Sequence, residues 1–322
     1  MAVYVSVDAG GTKCSAIMFD GDFNLLGEGM SGGVNSSQGA SPEHVRGNVR
    51  ECLSELFGNY MPEQIETCYT VFVGNERILA EELDKKIRVL SYERLGEIEA
   101  GLYAGALLEE GMLALSGTGS NVGYVGKGTP RKAGLGGWGP ILGDQGSGAW
   151  IGQKALRAVV AAHDGWGPET LLYELINESW NLKRNWGMVN AVYHHAAPFR
   201  KVASIAPLVG EAARAGDAVA LGILRGAGEY MALFAGTLLR RLGFENKYPP
   251  VVCCGGAWKA HASMFAAFNQ KLSGEFAGIT VEKPWFEHVT AGAAKELLSR
   301  GVGRAEGRRV LSERFADYVI KW

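Results

Sequence analysis

Two short segments carry residue types suited to holding phosphate: Asp8-Ala9-Gly10-Gly11-Thr12-Lys13 and Ser116-Gly117-Thr118-Gly119-Ser120-Asn121. In the first, two glycines let backbone N–H groups come close to an anion, and Thr12 and Lys13 add donors. Asp8 suits a hydrated Mg2+, an ion that keeps most of its waters and takes one or two carboxylates. The second segment is also small and hydroxyl-rich. Taken singly, each is better explained as a tight hairpin turn. Their matching places in a repeated topology reverse that preference and favour two turns clamping one polyphosphate.

Other nucleotide patterns fail on context. Gly134-Leu135-Gly136-Gly137-Trp138-Gly139 fits GxGxxG, but Pro140 follows and no helix starts there, so it is not a dinucleotide fingerprint. Gly126-Lys127 is followed by Gly128 and lacks the earlier glycine of a Walker loop.

The elements that must position these turns repeat in order. Residues 3–7, 14–19 and 25–30 read as three strands, the last two joined across a glycine-containing turn. Ser41-Pro42-Glu43 offers an N-cap, a first-turn Pro and an acidic first turn for a helix that carries Val45, Val49, Leu53 and Leu56 at helical spacing. Strands at 67–73 and 87–90 follow, with a helix after each, the second beginning near Leu95. From Met112 the same meander returns at 112–115, 122–125 and 131–135, with a helix at 149–162. A helical insertion occupies 168–242; then come strand 251–254, helix 258–272, strand 278–281 and helix 289–299. Two related α/β lobes are expected, 1–111 and 112–303, with a last helix at about 304–322 packing back on the first.

Composition agrees with such a chain. At 322 residues it has the length of about two domains, and 47% hydrophobic with 20% charged residues is ordinary for a folded protein. A net charge of -2 gives no electrostatic reason to expect nucleic acid, which needs clustered Lys and Arg. Apolar stretches such as 230–239 contain glycine, end in Arg240-Arg241 and fall short of the ~20 residues of a membrane span, so no membrane partner is expected. The chain runs straight into a strand without a secretory pattern, which reads as cytoplasmic. Five cysteines, odd in number and without CxxC or zinc spacing, read as small buried thiols.

The two turns, together with Gly136-Gly137-Trp138-Gly139 through Gly143-Asp144-Gln145-Gly146-Ser147 and with Cys254-Gly255-Gly256-Ala257-Trp258-Lys259, resemble the BadF/BadG/BcrA/BcrD ATPase family, and within it the N-acetylglucosamine kinases. The likeness is spread in order from residue 5 to about residue 295. It implies an α/β fold of two ribonuclease-H-like lobes of the actin/hexokinase type, with an interdomain cleft closing over ATP and sugar. It also implies that Gly10, Gly11, Thr12, Lys13, Gly117, Thr118, Gly119 and Ser120 hold phosphates, that Gly255 and Gly256 lie near the adenosine, and that Asp8 serves Mg2+. Asn35, Ser36, Asn121, Gly137, Trp138, Gly139 and Asp144 would face the sugar, a set that suits a pyranose with its hydroxyls and apolar face. Singly, Asn35 equally suits an αL turn, Trp138 a core aromatic and Asp144 an N-cap.

The implied activity is ATP-dependent phosphorylation of an amino sugar at O6, N-acetylglucosamine before N-acetylmuramic acid, glucosamine, a hexose or a keto-sugar acid. ATP and a small sugar are the implied partners, with a homodimer as the assembly carried forward and the oligomeric state otherwise open. The family places an Asp just before the helix that begins near Leu95. Here the aligned residue reads as Glu93, which the resemblance implies is the general base that accepts the sugar hydroxyl's proton; Glu97 and Glu99 sit further into the helix and match the family position less well. Alternatives are a nucleotide-driven switch that activates a partner protein, as in relatives with cysteine-held iron–sulfur clusters, and a catalytically impaired sugar sensor. The five cysteines show no such cluster pattern.

Overall fold

Alternating apolar residues make Val3–Ala9 (β1) a strand with two different faces, and it becomes the centre of a five-stranded sheet. The computed structural model describes residues 1–34, 41–126, 133–182 and 187–322. The first compact unit comprises Met1–Glu109 with Pro284–Trp322. Its elements run β1, β2 (Lys13–Asp20), β3 (Leu25–Gly32), α1 (Pro42–Leu56), β4 (Gln64–Phe72), α2 (Arg77–Asp84), β5 (Arg88–Arg94) and α3 (Glu97–Ala106). The sheet order is β3-β2-β1-β4-β5, antiparallel across the meander and parallel from β1 to β5.

One face of this sheet buries Val3, Val5 and Val7 against Val45, Val49 and Leu53 of α1 and Ile78, Leu79 and Leu83 of α2. The helix α1 starts as its sequence indicates, with Ser41 accepting a hydrogen bond from the His44 N–H and Pro42 in the first turn. A buried carboxylate, Glu82 of α2, joins the two helices by pairing with Arg50, Lys85 and Arg46. These cations, Arg50 first, hold its carboxyl down to about 2. The other face buries Tyr4, Tyr69 and Val71 under α3 and two C-terminal helices, α12 (Ala291–Ser299) and α13 (Arg304–Arg314).

The second unit, Glu110–Lys283, repeats the topology: β6 (Gly111–Ser116), β7 (Ser120–Val125) and β8 (Ala133–Gly136) form the meander, and β9 (Val251–Cys254) and β10 (Val281–Glu282) extend it in the order β10-β9-β6-β7-β8. Between β8 and β9 lie α4 (Gly139–Leu142), α5 (Gly148–His163), α6 (Leu172–Trp180), α7 (Gly187–Tyr193), α8 (Pro198–Ala203), α9 (Ala206–Arg214) and α10 (Ala218–Arg241); α11 (Ala262–Glu275) separates β9 from β10. The 24-residue α10 is long and apolar enough to cross a membrane by length and composition alone. Here its Leu224, Met231, Leu238 and Leu239 are buried in the core of this unit, with Met264 and Phe268 of α11.

Several sequence expectations shift. The second lobe was expected to run to residue 303, but residues 284–303 belong to the first unit. Gly292 of α12 donates its N–H to Ser6 Oγ at 3.0 Å, and a Cβ there would stand 2.8 Å from Tyr69 Cβ, so only a glycine lets the helix lie this close to the sheet. The helix expected between the strands at 67–73 and 87–90 is α2. The expected helix at 258–272 is a short 3-10 turn, Gly256–Lys259, followed by α11, and the strand at 278–281 reduces to Val281–Glu282. The five cysteines are free and buried, as their pattern suggested.

Candidate nucleotide and sugar site

The first phosphate turn closes the β1–β2 hairpin, with Asp8 facing Ser15 and Ala9 facing Cys14 in register. Gly10 donates its N–H to Lys13 O at 2.9 Å. Two neighbours hold this turn from outside: the Val34 N–H reaches Gly10 O at 2.8 Å and the Val73 N–H reaches Ala9 O at 2.9 Å. Gly33 lies against it so closely that a Cβ would stand 2.2 Å from Gly11 O. Gly33 is pinned in turn by Asn48 of α1, whose buried Nδ2 donates to Gly33 O at 2.7 Å. Asn48 was not singled out from sequence; a polar residue inside the Val45–Val49–Leu53 stripe was the sign. The chain therefore passes directly over the turn on its way to Asn35 and Ser36, which lie outside the described residues.

Asp8 is half-buried at the carboxyl end of β1, and no group of three or more His, Cys, Asp or Glu gathers as a metal nest among the described residues. One carboxylate beside a phosphate turn fits Mg2+, whose shell is completed by water and phosphate oxygens, and does not fit an ion that needs an all-protein cage.

Register also locates Glu93, the expected base, and its neighbour Glu97. Glu93 lies inside β5, paired with Tyr69, which pairs with Ser6. It is thus two residues, roughly 7 Å, short of Asp8 along the sheet. The helix expected near Leu95 begins at Glu97, after the Leu95 N–H has bonded to Thr70 O at 2.8 Å. Glu97, expected further inside the helix, is its first residue, beyond the end of the sheet.

In the second unit the phosphate turn is part of a larger block. Gly117 donates its N–H to Gly119 O at 2.9 Å within the turn. Ser116 Oγ donates to Gly146 O at 2.7 Å and Ser120 Oγ to Gln145 O at 2.9 Å. The N–H groups of Gly148 and Ala149, which open α5, bond to Gly117 O at 2.8 Å and Thr118 O at 3.2 Å. The positive end of the 16-residue α5 therefore abuts the turn. Gly137 donates to Ser120 O at 2.8 Å, which joins the Gly137-Trp138-Gly139 turn to the same block. Both glycines have positive φ, at 73° and 82°, and Trp138 between them is 72% exposed, not a core aromatic.

Asp144 is buried, and it is not the N-cap of α5; Ser147 is, accepting from the Trp150 N–H at 3.1 Å. Gly255, at φ 109°, leaves β9 so close to the turn that a Cβ would stand 2.2 Å from Ser116 O. Gly256 is exposed, with open space around its Cα. Trp258 is a core residue, buried and donating Nε1–H to Ala114 O at 3.0 Å.

The family model of the BadF/BadG/BcrA/BcrD ATPase family matches residues 5–294. An N-acetylmuramic acid/N-acetylglucosamine kinase from Clostridium acetobutylicum is 30% identical over 285 residues, 85% of this chain and 91% of that protein. An N-acetyl-D-glucosamine kinase from Dictyostelium discoideum is 26% identical, covering 79% of this chain and 85% of its own length. Among solved structures, a ROK family glucokinase from Streptomyces griseus with bound glucose and AMPPNP superposes with a TM-score of 0.56 at 14% identity, over 92% of this chain and 98% of that one. The fold is thus the two-lobed actin/hexokinase-like α/β fold.

Proposed function

Because the chain belongs to the BadF/BadG/BcrA/BcrD ATPase family, we propose that it is an ATP-dependent kinase that phosphorylates an amino sugar, N-acetylglucosamine first, at O6. The observation that carries the reading is the occurrence of glycine-bearing turns at the same place in both copies of the topology, within a chain similar over most of its length to amino-sugar kinases. The proposal includes cytoplasmic location and leaves a homodimer as its working assembly.

The turns at Gly10–Lys13 and Gly117–Ser120 hold phosphate oxygens, and Gly255 and Gly256 shape the nucleoside end. Asp8 is the residue that would hold Mg2+. When bound with ATP, Mg2+ supplies charge neutralisation at the transferring phosphoryl. Asn121, Gly137, Trp138, Gly139 and Asp144, with Asn35 and Ser36, orient the sugar, the indole against its apolar face. All five cysteines are buried, so none is offered to a shared cluster, which disfavours the activator reading.

A carboxylate at the head of α3 accepts the proton of the attacking hydroxyl. Of the two candidates we assign Glu97 ahead of Glu93, because Glu97 stands past the carboxyl ends of β4 and β5 and Glu93 lies in register with Ser6. ADP release is to be measured over a panel of amino sugars, hexoses and keto-sugar acids, with and without Mg2+. Sugar-dependent release supports the kinase, and none on any sugar refutes it. On the best sugar, Glu97→Gln should lower turnover by ~10²-fold and Glu93→Gln by no more than severalfold. The reverse outcome returns the base to Glu93.

A further inference from the structure

The helical insertion of the second unit holds an apolar groove of about 830 Å3 whose lining includes none of the residues assigned to ATP or sugar. Buried Val159, Met188 and Val202, from α5, α7 and α8, make its floor. Around them stand large apolar side chains open to water: Ile141 and Tyr193 are each 80% exposed and Trp166 is 73% exposed. Single chains rarely leave so much contiguous apolar surface uncovered, and aromatic residues with Met and Arg are the mix that protein interfaces favour.

The charges on the groove say what covers it. Arg157, Val160 and Asp164 follow one another along α5 at i, i+3 and i+7, a single stripe, and all three are exposed and border the groove. Arg157 and Asp164 lie about 10 Å apart along the helix axis. Among the described residues no side chain pairs with either. Asp164 stands just past the last residue of α5, where the helix dipole disfavours a carboxylate, so its charge does nothing for its own helix. Opposite charges on either side of one apolar residue form a pattern that a two-fold rotation maps onto its own complement.

We infer that this groove is the interface of a homodimer in which two copies of α5 cross antiparallel beside Val160, each Arg157 facing Asp164 of the second copy. The same rotation matches the ends of the groove. Gln153 donates from Nε2 to Pro140 O at 3.4 Å, which sets α4 and its Ile141 level with residue 153. Rotation about the midpoint of residues 157 and 164 carries that level to residue 168, next to Trp166. Rim side chains of each copy, Ile141 at one end and Trp166 at the other, then fill the groove of the other copy, an isologous contact that closes at two subunits. The homodimer proposed above thereby gains a definite interface, and sedimentation reads it separately from the ADP release that tests the kinase.

The test is sedimentation equilibrium on the full-length chain at micromolar concentrations, where wild type should be a dimer. Val160→Arg, which brings two guanidinium groups together at the axis, should weaken the dimer by about 100-fold or more. Arg157→Glu and Asp164→Arg should each weaken it by about tenfold or more, because each sets like charges opposite one another. The double variant Arg157→Glu with Asp164→Arg exchanges the charges and should return to within about threefold of wild type. All three positions are exposed, so thermal denaturation should find each variant folded, with Tm within about 2 °C of wild type. A monomeric wild type would overturn the interface, as would a dimer that Val160→Arg leaves intact. Dissociation by the single charge reversals without recovery in the double variant would overturn the antiparallel pairing.

Discussion

The hairpin turns at residues 10–13 and 117–119 close the same pair of strands in two copies of one topology, yet they are built differently. Next to the first turn stands Asp8, and where the hairpin ends are matched, Ala9↔Cys14 with Ser116↔Ser120, its counterpart is Leu115. The first turn carries a carboxylate and a lysine and is held from outside by backbone bonds from Val34 and Val73. The second has no charged residue and is stapled by Ser116, Ser120 and the start of α5 into a block that includes the sugar-facing turn. Repeating a fold therefore repeats the place for an anion without repeating the role. One copy keeps the charge that an ion needs, and the other exchanges it for hydroxyl cross-links that fix geometry.

The sharpest way to break this comparison is to remove the charge that only the first turn has. Asp8→Asn should lower Mg2+-dependent turnover by ~10²-fold or more, since a metal's charge stabilisation is worth several kcal/mol. Steady-state ADP release checks it, and near-normal turnover would mean that the ion is held elsewhere. Next in size is the glycine behind the second turn. In Gly255→Ala a methyl is forced to 2.2 Å from Ser116 O at φ 109°, and about 1–3 kcal/mol of strain should appear as a lower Tm and weaker ATP binding. Gly10→Ala, with open space around its Cβ, should leave Tm within about 2 °C. Thermal denaturation of both variants decides whether the second turn is the more tightly enclosed.

A smaller effect belongs to the hydroxyl cross-links of the second turn. Ser116→Ala leaves the buried Gly146 carbonyl without its donor and should cost about 1–2 kcal/mol of stability in urea unfolding. Unchanged stability would show that the cross-link does not hold the block.

The smallest expected effect is confined to acid. Arg50, Lys85 and Arg46 bond to Glu82 in the folded chain, so its pKa falls from 4.5 to about 2 on folding despite its burial, and its stabilisation is present above 4.5 and lost as pH drops toward 2. Glu82→Gln should therefore reduce stability at neutral pH and flatten its decline between about pH 4.5 and 2. Urea unfolding at several pH values reads this out, and an unchanged acid slope would show that the ion network contributes nothing to the first unit's acid sensitivity.

Much of this architecture is legible in one dimension because it rests on local preferences. Alternation in residues 3–7, the Ser41-Pro42 helix start and the repeated order of strands and helices each follow from backbone period and capping, and two sheets of one topology result. The glycine-bearing turns are equally visible, since a short loop between strands needs residues that tolerate close approach. Residues 284–303 were misassigned because an amphipathic helix shows that it has an apolar face but not which sheet will cover it. That was decided by Gly292 meeting Ser6 and Tyr69, contacts more than two hundred residues apart in the chain.

The same limit governs the site. Residue type alone marked Asp144 as a polar group among glycines, a fair candidate for a sugar ligand or a helix cap. Its burial, its bond to Gly139 and its fit against Gly119 exist only once the chain has folded, and these fix where the carboxylate sits. Likewise Glu93 and Glu97 are four residues apart in one stretch of sequence. Only the parallel register of β1, β4 and β5 shows that one lies level with Ser6 and the other stands beyond the sheet's end, because which strands pair, and in what register, is a property of tertiary packing.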